Sequence, residues 1–258
     1  MQNSMKNELL IEVKIKKDCL VIPDALIEEV IDNVLKSYKN LNNIKDSDKK
    51  VLVKEIRAKL RRSTGMFQKG ITEKKRKKLE STDVEEMLKT HISTAERLGD
   101  YTLIKEKISA LKIKSILDLG CGLNPLALAS KNVDYHAYDI RQDEISILND
   151  FFTKEKISGK AEIYDIRKYN KDLPSADLIL IWKVLEIVGG DTHALSRKLI
   201  QSLKYKYLMI SFSTCTLSGK KMLHKKRIWL EKIIKEENKN YEAFQTSSEI
   251  FYLINNLD

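Results

Sequence analysis

The stretch from residue 114 to 128, KSILDLGCGLNPLAL, constrains the fold of this chain more than any other. A short apolar segment leads to Asp118, and Gly120 and Gly122 then allow a tight turn into a helix. A strand that turns through glycines into a helix is typical of an open parallel sheet, in which ligands bind at the carboxyl ends of the strands. The sequence therefore predicts an α/β domain with a ligand site directly after this strand.

The spacing of the glycines distinguishes between two kinds of cofactor. Pro125 stands where the third glycine of the dinucleotide fingerprint G-x-G-x-x-G would be, so a nicotinamide cofactor is disfavoured. D-x-G-x-G after a strand instead resembles the first motif of S-adenosylmethionine-dependent methyltransferases, whose glycine turn faces the methionine part of the cofactor. We therefore assign Asp118, Gly120, Cys121 and Gly122 to cofactor binding.

Length, apolar runs and cysteines exclude several other classes of protein. The 258 residues suffice for a full α/β core with a smaller companion domain. No apolar run approaches the roughly 20 residues that span a bilayer, and the first residues do not resemble a secretory signal. Cys19, Cys121 and Cys215 lie far apart without C-x-x-C spacing, which argues against a zinc site or a disulfide framework. We expect a cytoplasmic monomer with no metal and no membrane segment.

Basic residues are concentrated in one part of the chain. The net charge is +10, and residues 54–78 alone contain eleven lysines and arginines against two glutamates. Such concentration indicates a partner with a phosphate backbone, although a lysine-rich solvated surface is the alternative. The predicted RNA-binding residues are Arg57, Arg61, Arg62, Lys69, Lys74, Lys75, Arg76, Lys77 and Lys78, with a second patch at Lys220, Lys221 and Lys225.

The N-terminal third of the chain reads as helical. Apolar residues recur at helical spacing over residues 24–39 and again over about 46–62, and a helix restarts near Thr72. Residues 9–15 offer the only possible strand before residue 110. We therefore predict a helical RNA-binding domain at residues 1–84 and a catalytic α/β domain at residues 85–258.

The segment HISTAERLGDY, from residue 91, places an arginine just ahead of the α/β domain. Ser93 or Thr94 is suited to cap a helix that contains Arg97. The guanidinium is a planar fork of donors, which suits a carboxylate such as that of a methionine moiety. An ordinary capped helix is the alternative interpretation.

Two further strands end in an acidic residue. Residues 133–139, VDYHAYD, predict a second strand that ends at Asp139, and residues 161–165, AEIYD, predict a third that ends at Asp165. A carboxylate at the end of the second strand can accept hydrogen bonds from ribose hydroxyls, and one at the third can accept from an adenine amine. Ile140 and Ile166 would supply apolar walls. We expect Asp139→Ala and Arg97→Ala to abolish cofactor binding without unfolding the protein.

The rest of the chain supplies the remaining strands. Residues 177–182, DLILIW, form an unbroken apolar run that predicts a central strand ending at Trp182 and Lys183. Trp182 would border the pocket or simply fill core space. Residues 205–212 predict a fifth strand, and 241–246 with 249–254 predict a terminal hairpin. The expected fold is a Rossmann-like class I methyltransferase, with a seven-stranded mixed sheet and an N-terminal helical domain.

Five segments together resemble one family, the aminoglycoside-resistance 16S ribosomal RNA methyltransferases. These are HISTAER (91–97), SILDLGCGLNPLALA (115–129), YHAYDI (135–140), LSGK (217–220) and SEIFYLI (248–254), within about residues 85–256. The resemblance implies a helical domain that docks on ribosomal RNA. It also implies cofactor contacts from His91, Ile92, Ser93, Arg97, the glycine turn, Asp139, Asp165, Ile166 and Trp182.

The resemblance further implies a reaction, the transfer of a methyl group from S-adenosylmethionine to N7 of a guanine in the decoding region. Guanine N7 carries an in-plane lone pair, so no general base is required, and Lys183 is a candidate to position the base. The alternatives are a methyltransferase acting on tRNA or another rRNA position, and a ribosome-binding factor without catalysis.

Two segments depart from the family. Many members carry Leu-Pro two residues beyond the lysine of the fourth strand, whereas this chain has Leu185 and Glu186. Where members read Phe-Pro and a basic residue, this chain reads FSTC at residues 212–215. The exact nucleotide, and a role in resistance or in ribosome maturation, therefore stay open.

Overall fold

The structure, a computed structural model, describes residues 2–38, 46–64, 83–169, 173–188, 193–216 and 220–256. The chain divides into two compact units, residues 1–66 with 140–143 and residues 67–139 with 144–258. The predicted domain boundary, between residues 84 and 85, falls inside the helix Val84–Leu88. No helix in these described segments is long and apolar enough to cross a membrane.

The first unit is built from helices that bury one apolar face each. They are α1 (Gln2–Lys14), α2 (Lys17–Leu20), α3 (Asp24–Leu35) and α4 (Asp46–Thr64). The helices predicted over residues 24–39 and 46–62 are therefore confirmed, the first with an earlier end. The possible strand at 9–15 is wrong. Leu9 and Val13, one helical turn apart, are buried, whereas Ile11 and Ile15 are each 67% exposed.

The second unit contains a seven-stranded mixed sheet, as predicted. Its helices are α5 (Val84–Leu88), α6 (Ile92–Arg97), α7 (Tyr101–Ala110), α8 (Asn124–Leu128), α9 (Gln142–Glu155), α10 (Leu185–Val188), α11 (Ala194–Ser202) and α12 (Ile228–Glu236). Its strands are β1 (Ser115–Leu119), β2 (Asp134–Asp139), β3 (Gly159–Ile163), β4 (Ala176–Trp182), β5 (Tyr205–Ser213), β6 (Asn240–Gln245) and β7 (Glu249–Asn255).

The strand order is β3-β2-β1-β4-β5-β7-β6. Strands β1 to β5 pair in parallel, and β7 pairs antiparallel with β5 and β6. The order reverses between β1 and β4, so the carboxyl ends of these two strands define the switch point at which open α/β sheets bind ligands. Asp118 aligns with Leu180 across this pair.

Strand β4 is covered on both faces, which explains its unbroken apolar sequence. Ile179 and Ile181 pack in the cluster on one face of the sheet. Leu178, Leu180 and Trp182 pack in the cluster on the other face. The alternation follows from the two-residue period of a strand, and it places Trp182 at the carboxyl edge.

Two local predictions are wrong in detail. Helix α6 begins at Ile92 after His91, so Ser93 and Thr94 lie in its first turn and do not cap it; the Thr94 hydroxyl instead donates to the carbonyls of Leu88 and His91. Strand β3 ends at Ile163, and Asp165 caps a short 3-10 turn, Ile166–Lys168.

Candidate functional site

The glycine turn after β1 is closely packed. Gly120 and Gly122 have φ angles of +73° and +50°, which side chains rarely adopt. A Cβ at Gly120 would lie 2.3 Å from Val184 Cγ2, and one at Gly122 would lie 3.0 Å from the His91 ring. The Gly122 N–H donates to Asp139 Oδ2 at 3.0 Å, so the turn is tied to the end of β2. Glycine is therefore required at both positions.

Asp118 lies beneath this turn as a fully buried carboxyl. Tyr135 Oη donates to Asp118 Oδ2 at 2.7 Å, whereas Asp118 Oδ1 has no hydrogen-bond partner in the described part of the chain. Burial raises the pKa of Asp118 to about 7, although Tyr135 and Arg97 oppose the shift. The site thus holds an acceptor that a cationic ligand group would satisfy.

Arg97 is the centre of a buried polar network. Its side chain is 2% exposed, and its Nε and Nη2 donate to the two carboxylate oxygens of Glu249 at 2.7 and 3.0 Å. Its Nη1 donates to Asn124 Oδ1 at 2.8 Å, and Tyr101 Oη donates to the same oxygen at 3.0 Å. The guanidinium also lies 5.0 Å from the centre of the Trp182 ring. The arginine is therefore fixed in the core of the α/β unit.

The two strand-end acids are held differently. Asp139, the last residue of β2, is half-buried and bonded to the glycine turn. Asp165 accepts from Arg167 Nε at 2.8 Å and from Arg167 Nη2 at 2.6 Å. Burial would raise the pKa of Asp165, but Arg167 outweighs burial and lowers it. The acceptor predicted for an adenine amine is thus already paired with an arginine two residues away.

Trp182 and Lys183 end β4 as predicted. Trp182 is buried, stacks edge-on against Phe251 at 5.3 Å, and has no partner for its Nε1 within the described segments. Lys183 has a φ of +59°, a strained conformation for a residue with a side chain. Its ammonium binds Glu96 and lies 3.4 Å from Glu249. The lysine is therefore held at the edge of the site by carboxylates on two elements.

The remaining predicted cofactor residues fall into two groups. His91 and Ser93 are buried, Ile92 is half-buried, and His91 packs against the glycine turn. Ile166 is buried after Asp165, and Cys121 is buried within the turn. Ile140 instead belongs to the helical unit and packs with its buried cluster. All of the predicted cofactor residues except Ile140 therefore lie in the α/β unit.

The match to a family of known proteins covers most of the chain. Residues 40–252 match the family described as Ribosomal RNA methyltransferase (FmrO). This protein belongs to the ribosomal RNA methyltransferase family. The resemblance that the sequence motifs indicate is therefore confirmed, and so is the methyltransferase fold.

Curated relatives in this family carry one name, 16S rRNA (guanine(1405)-N(7))-methyltransferase. The relative from Serratia marcescens is 29% identical over 180 residues, which are 68% of this chain and 71% of the relative. The relative from Proteus mirabilis is 27% identical over 199 residues, which are 66% of this chain and 71% of the relative.

Solved structures show the same fold. The 16S rRNA methyltransferase RmtF in complex with S-adenosyl-L-homocysteine superposes with a TM-score of 0.82 at 22% identity, covering 97% of both chains. The 16S rRNA methylase RmtB gives 0.76 at 23% identity, covering 97% of this chain and 98% of the other. At these identities the likeness concerns the fold alone.

The predicted RNA-binding residues of this family member lie on both units. Lys69 and Lys74 to Lys78 fall outside the described residues, as does the side chain of Arg62. Arg57 donates to the carbonyls of Glu12 and Val13, and therefore secures the end of α1. Arg61 lines a groove of about 990 Å³ together with basic, acidic and apolar residues. The basic ones include Lys16, Lys49, Lys50 and Lys54, and the acidic ones are Glu8 and Glu12.

The second basic patch lies on the loop between β5 and α12. Lys220 and Lys221 are exposed and Lys225 is half-buried. Arg227 organises this loop, because it donates to the carbonyls of Ser213 and Lys225 and to the Glu186 carboxylate at 2.7 Å. The departure from the family at position 186 thus has a structural role.

Sequence reasoning missed Glu249, Asn124 and Arg167 as members of the site. Glu249 is the first residue of strand β7, and the five residues that follow it, Ile250 to Ile254, are all buried and apolar or aromatic. A lone acid in such a strand signals a buried ion pair. The identity of its partner, 152 residues away in the sequence, has no local signal.

Proposed function

We propose that this protein is an S-adenosylmethionine-dependent methyltransferase that modifies N7 of a guanine in the decoding region of 16S ribosomal RNA within the 30S subunit. The modification would confer aminoglycoside resistance. The proposal is carried by the family match over residues 40–252, supported by curated relatives named 16S rRNA (guanine(1405)-N(7))-methyltransferase. The strand-tip site lies within the matched range.

The residues at the strand tips fit S-adenosylmethionine by their chemistry. The cradle around the glycine turn has no room for a Cβ at position 120, and Asp118 Oδ1 and Trp182 Nε1 are buried with their hydrogen-bonding capacity unused in the described chain. Asp118 would face a cationic group, Asp139 the ribose hydroxyls, and the free N–H groups of Arg97 the carboxylate. When bound, this cofactor supplies an electrophilic methyl group.

The protein groups at the mouth of the site suit an uncharged nucleophile. Guanine N7 needs no deprotonation, so the protein has to orient the base and to accommodate the positive charge that the base acquires. Lys183, held by Glu96 at the end of β4, would orient the base. Glu96, bound to Lys183 and 44% exposed on its side chain, offers the nearby negative charge that offsets a cationic product.

Basic surfaces on both units suit an RNA partner. Within the described residues Lys50, Lys54 and Arg61 of the α1–α4 groove form no ion pair, so their charge is available to phosphates. The exposed Lys220 and Lys221 of the β5–α12 loop, at the carboxyl edge of the sheet, would add a second contact surface.

One experiment decides between this proposal and its alternatives. The protein is incubated with cofactor labelled in its methyl group and with 30S subunits, naked 16S rRNA or tRNA. The RNA is then cleaved at 7-methylguanine by borohydride and aniline, and primer extension locates the cleaved position. We expect label in 30S subunits at one guanine of the decoding region. Label in tRNA, or at another rRNA position, would replace the proposed substrate. Binding to 30S subunits without any label would favour the non-catalytic factor.

A further inference from the structure

Glu249 is a fully buried carboxylate that three elements share. Arg97 on α6 donates to both of its oxygens, and Ser211 Oγ on β5 donates to Oε2 at 2.6 Å. The Lys183 ammonium at the end of β4 lies 3.4 Å from Oε1. The side chain itself is 0% exposed. One carboxylate therefore contacts both the proposed cofactor arginine and the proposed target-base lysine.

A purely structural ion pair would not require this arrangement. Burying a carboxylate costs it its hydration, and a single arginine in bidentate geometry satisfies both of its oxygens. Here a second cation, Lys183, approaches the same carboxylate. The backbone of Lys183 has a φ of +59°. In the described segments Lys112, Lys156, His193 and Asn238 have similar φ angles, so the second cation, and not the backbone conformation, distinguishes this carboxylate.

The two cations face different proposed ligands. Arg97 lies beneath Trp182 with N–H groups left for a cofactor carboxylate, whereas Lys183 is bound on its other side by Glu96, which is open to solvent. Because both cations contact the same carboxylate, a displacement of one changes the electrostatic environment of the other.

We propose that Glu249 is a positioning residue that couples the cofactor site at Arg97 to the target-base site at Lys183. The proposal rests on the proposed function. It also assigns a role to the segment SEIFYLI (248–254). This segment is part of the family resemblance, but none of the predicted cofactor contacts lies in it.

The test uses the full-length protein and three variants, Glu249→Gln, Lys183→Met and the double variant. Glu242→Gln is the matched control, because Glu242 lies on the neighbouring strand β6 and pairs with Lys107 at 2.6 Å on the surface. Titration calorimetry gives the Kd of S-adenosylhomocysteine, and single-turnover assays at saturating cofactor give the rate of methyl transfer to 30S subunits. Thermal unfolding is measured for every variant.

We expect Glu249→Gln to weaken S-adenosylhomocysteine binding at least tenfold and to slow transfer at least tenfold in the folded protein, with the control unchanged. Because Glu249 acts through Lys183 on the base, the double variant should transfer no more slowly than Lys183→Met alone. Normal binding by Glu249→Gln, or a rate loss in the double variant equal to the product of the single losses, would overturn the proposal. An inactive unsubstituted protein would instead defeat the proposed function, while the binding measurement still decides the link from Glu249 to Arg97.

Discussion

Tyr135 donates a 2.7 Å hydrogen bond to Asp118, and both side chains are fully buried beneath the glycine turn. The bond favours the ionised carboxyl, but burial outweighs it and raises the pKa of Asp118 to about 7 from an ordinary value of 3.8. A shift of this size corresponds to about 4 kcal/mol between the protonated and ionised forms. The folded protein therefore holds a proton that the unfolded chain releases.

This shift predicts how stability depends on pH. Because the folded-state pKa is the higher one, Asp118 lowers the free energy of unfolding progressively as pH rises from about 4 to about 7. Asp118→Asn removes that dependence. The free energy of unfolding is measured with urea for both proteins at pH 5 and at pH 7. From pH 5 to pH 7 that of the variant should rise by about 2 kcal/mol relative to that of the unsubstituted protein. Parallel pH profiles for the two proteins would contradict the raised pKa.

The glycine turn makes a second prediction. Gly120→Ala places a Cβ 2.3 Å from Val184 Cγ2 at a φ of +73°, so we expect a loss of about 2–4 kcal/mol in stability and no measurable binding of S-adenosylhomocysteine. Adding Val184→Ala should restore part of the stability by removing the overlap. Gly99→Ala is the control, because nothing lies within 4 Å of its Cβ position. Equal melting temperatures for the Gly120 and Gly99 variants would show that the turn tolerates side chains.

The fold is largely predictable from the chain, and the site only in part. Apolar runs with strand or helical period locate β1, β4 and the helix α3, because burial of one face or both fixes their sequence. The pairing of Asp165 with Arg167 and of Arg97 with Glu249 depends on how side chains meet after folding. Such pairs leave no periodic signal in the sequence. The residue types therefore indicate that these side chains can bind a ligand, but only the folded structure shows which side chains pair with one another.

Burial also separates two substitutions that the sequence treats alike. Arg97→Ala and Asp139→Ala are both expected to abolish cofactor binding, but Arg97→Ala also leaves Glu249 buried without its bidentate partner. We expect Arg97→Ala to lower the free energy of unfolding by about 3–5 kcal/mol. Asp139→Ala leaves no buried charge unpaired at Glu249, and the loss of its bond from Gly122 should cost about 1 kcal/mol. Urea unfolding measures the stability of both variants. Titration calorimetry with S-adenosylhomocysteine is then done without denaturant, at a temperature at which each variant is folded. Similar stability for the two variants would contradict the buried network.

Arg227 gives a prediction about the β5–α12 loop. Its guanidinium joins the Glu186 carboxylate to carbonyls of the loop, so Arg227→Ala should loosen the surface that carries Lys220 and Lys221. We expect faster proteolysis within residues 214–227 and at least fivefold weaker 30S binding, with S-adenosylhomocysteine binding unchanged. Arg197→Ala is the control, because Arg197 on α11 forms an exposed pair with Glu236 on α12. Unchanged cleavage in the Arg227 variant would show that the loop is held by other contacts.

The helical unit offers a matched comparison of lysines and arginines. Lys50, Lys54 and Arg61 line the groove without carboxylate partners in the described chain, whereas Lys6, Lys14 and Lys49 are paired with Asp32, Asp24 and Glu8. Replacing either set by alanine removes the same formal charge. Only the first set has charge that is not already compensated, and only that set should release counterions when RNA binds.

We therefore expect the groove variant to bind 30S subunits more weakly and to reduce the slope of log affinity against log salt by about 2. The paired variant should change that slope by less than about 1. Binding is measured by filter retention at several potassium concentrations, with S-adenosylhomocysteine affinity confirming that the α/β unit is intact. If both variants lower the slope equally, net charge alone attracts the RNA, and the cations Lys50, Lys54 and Arg61 have no special part in docking.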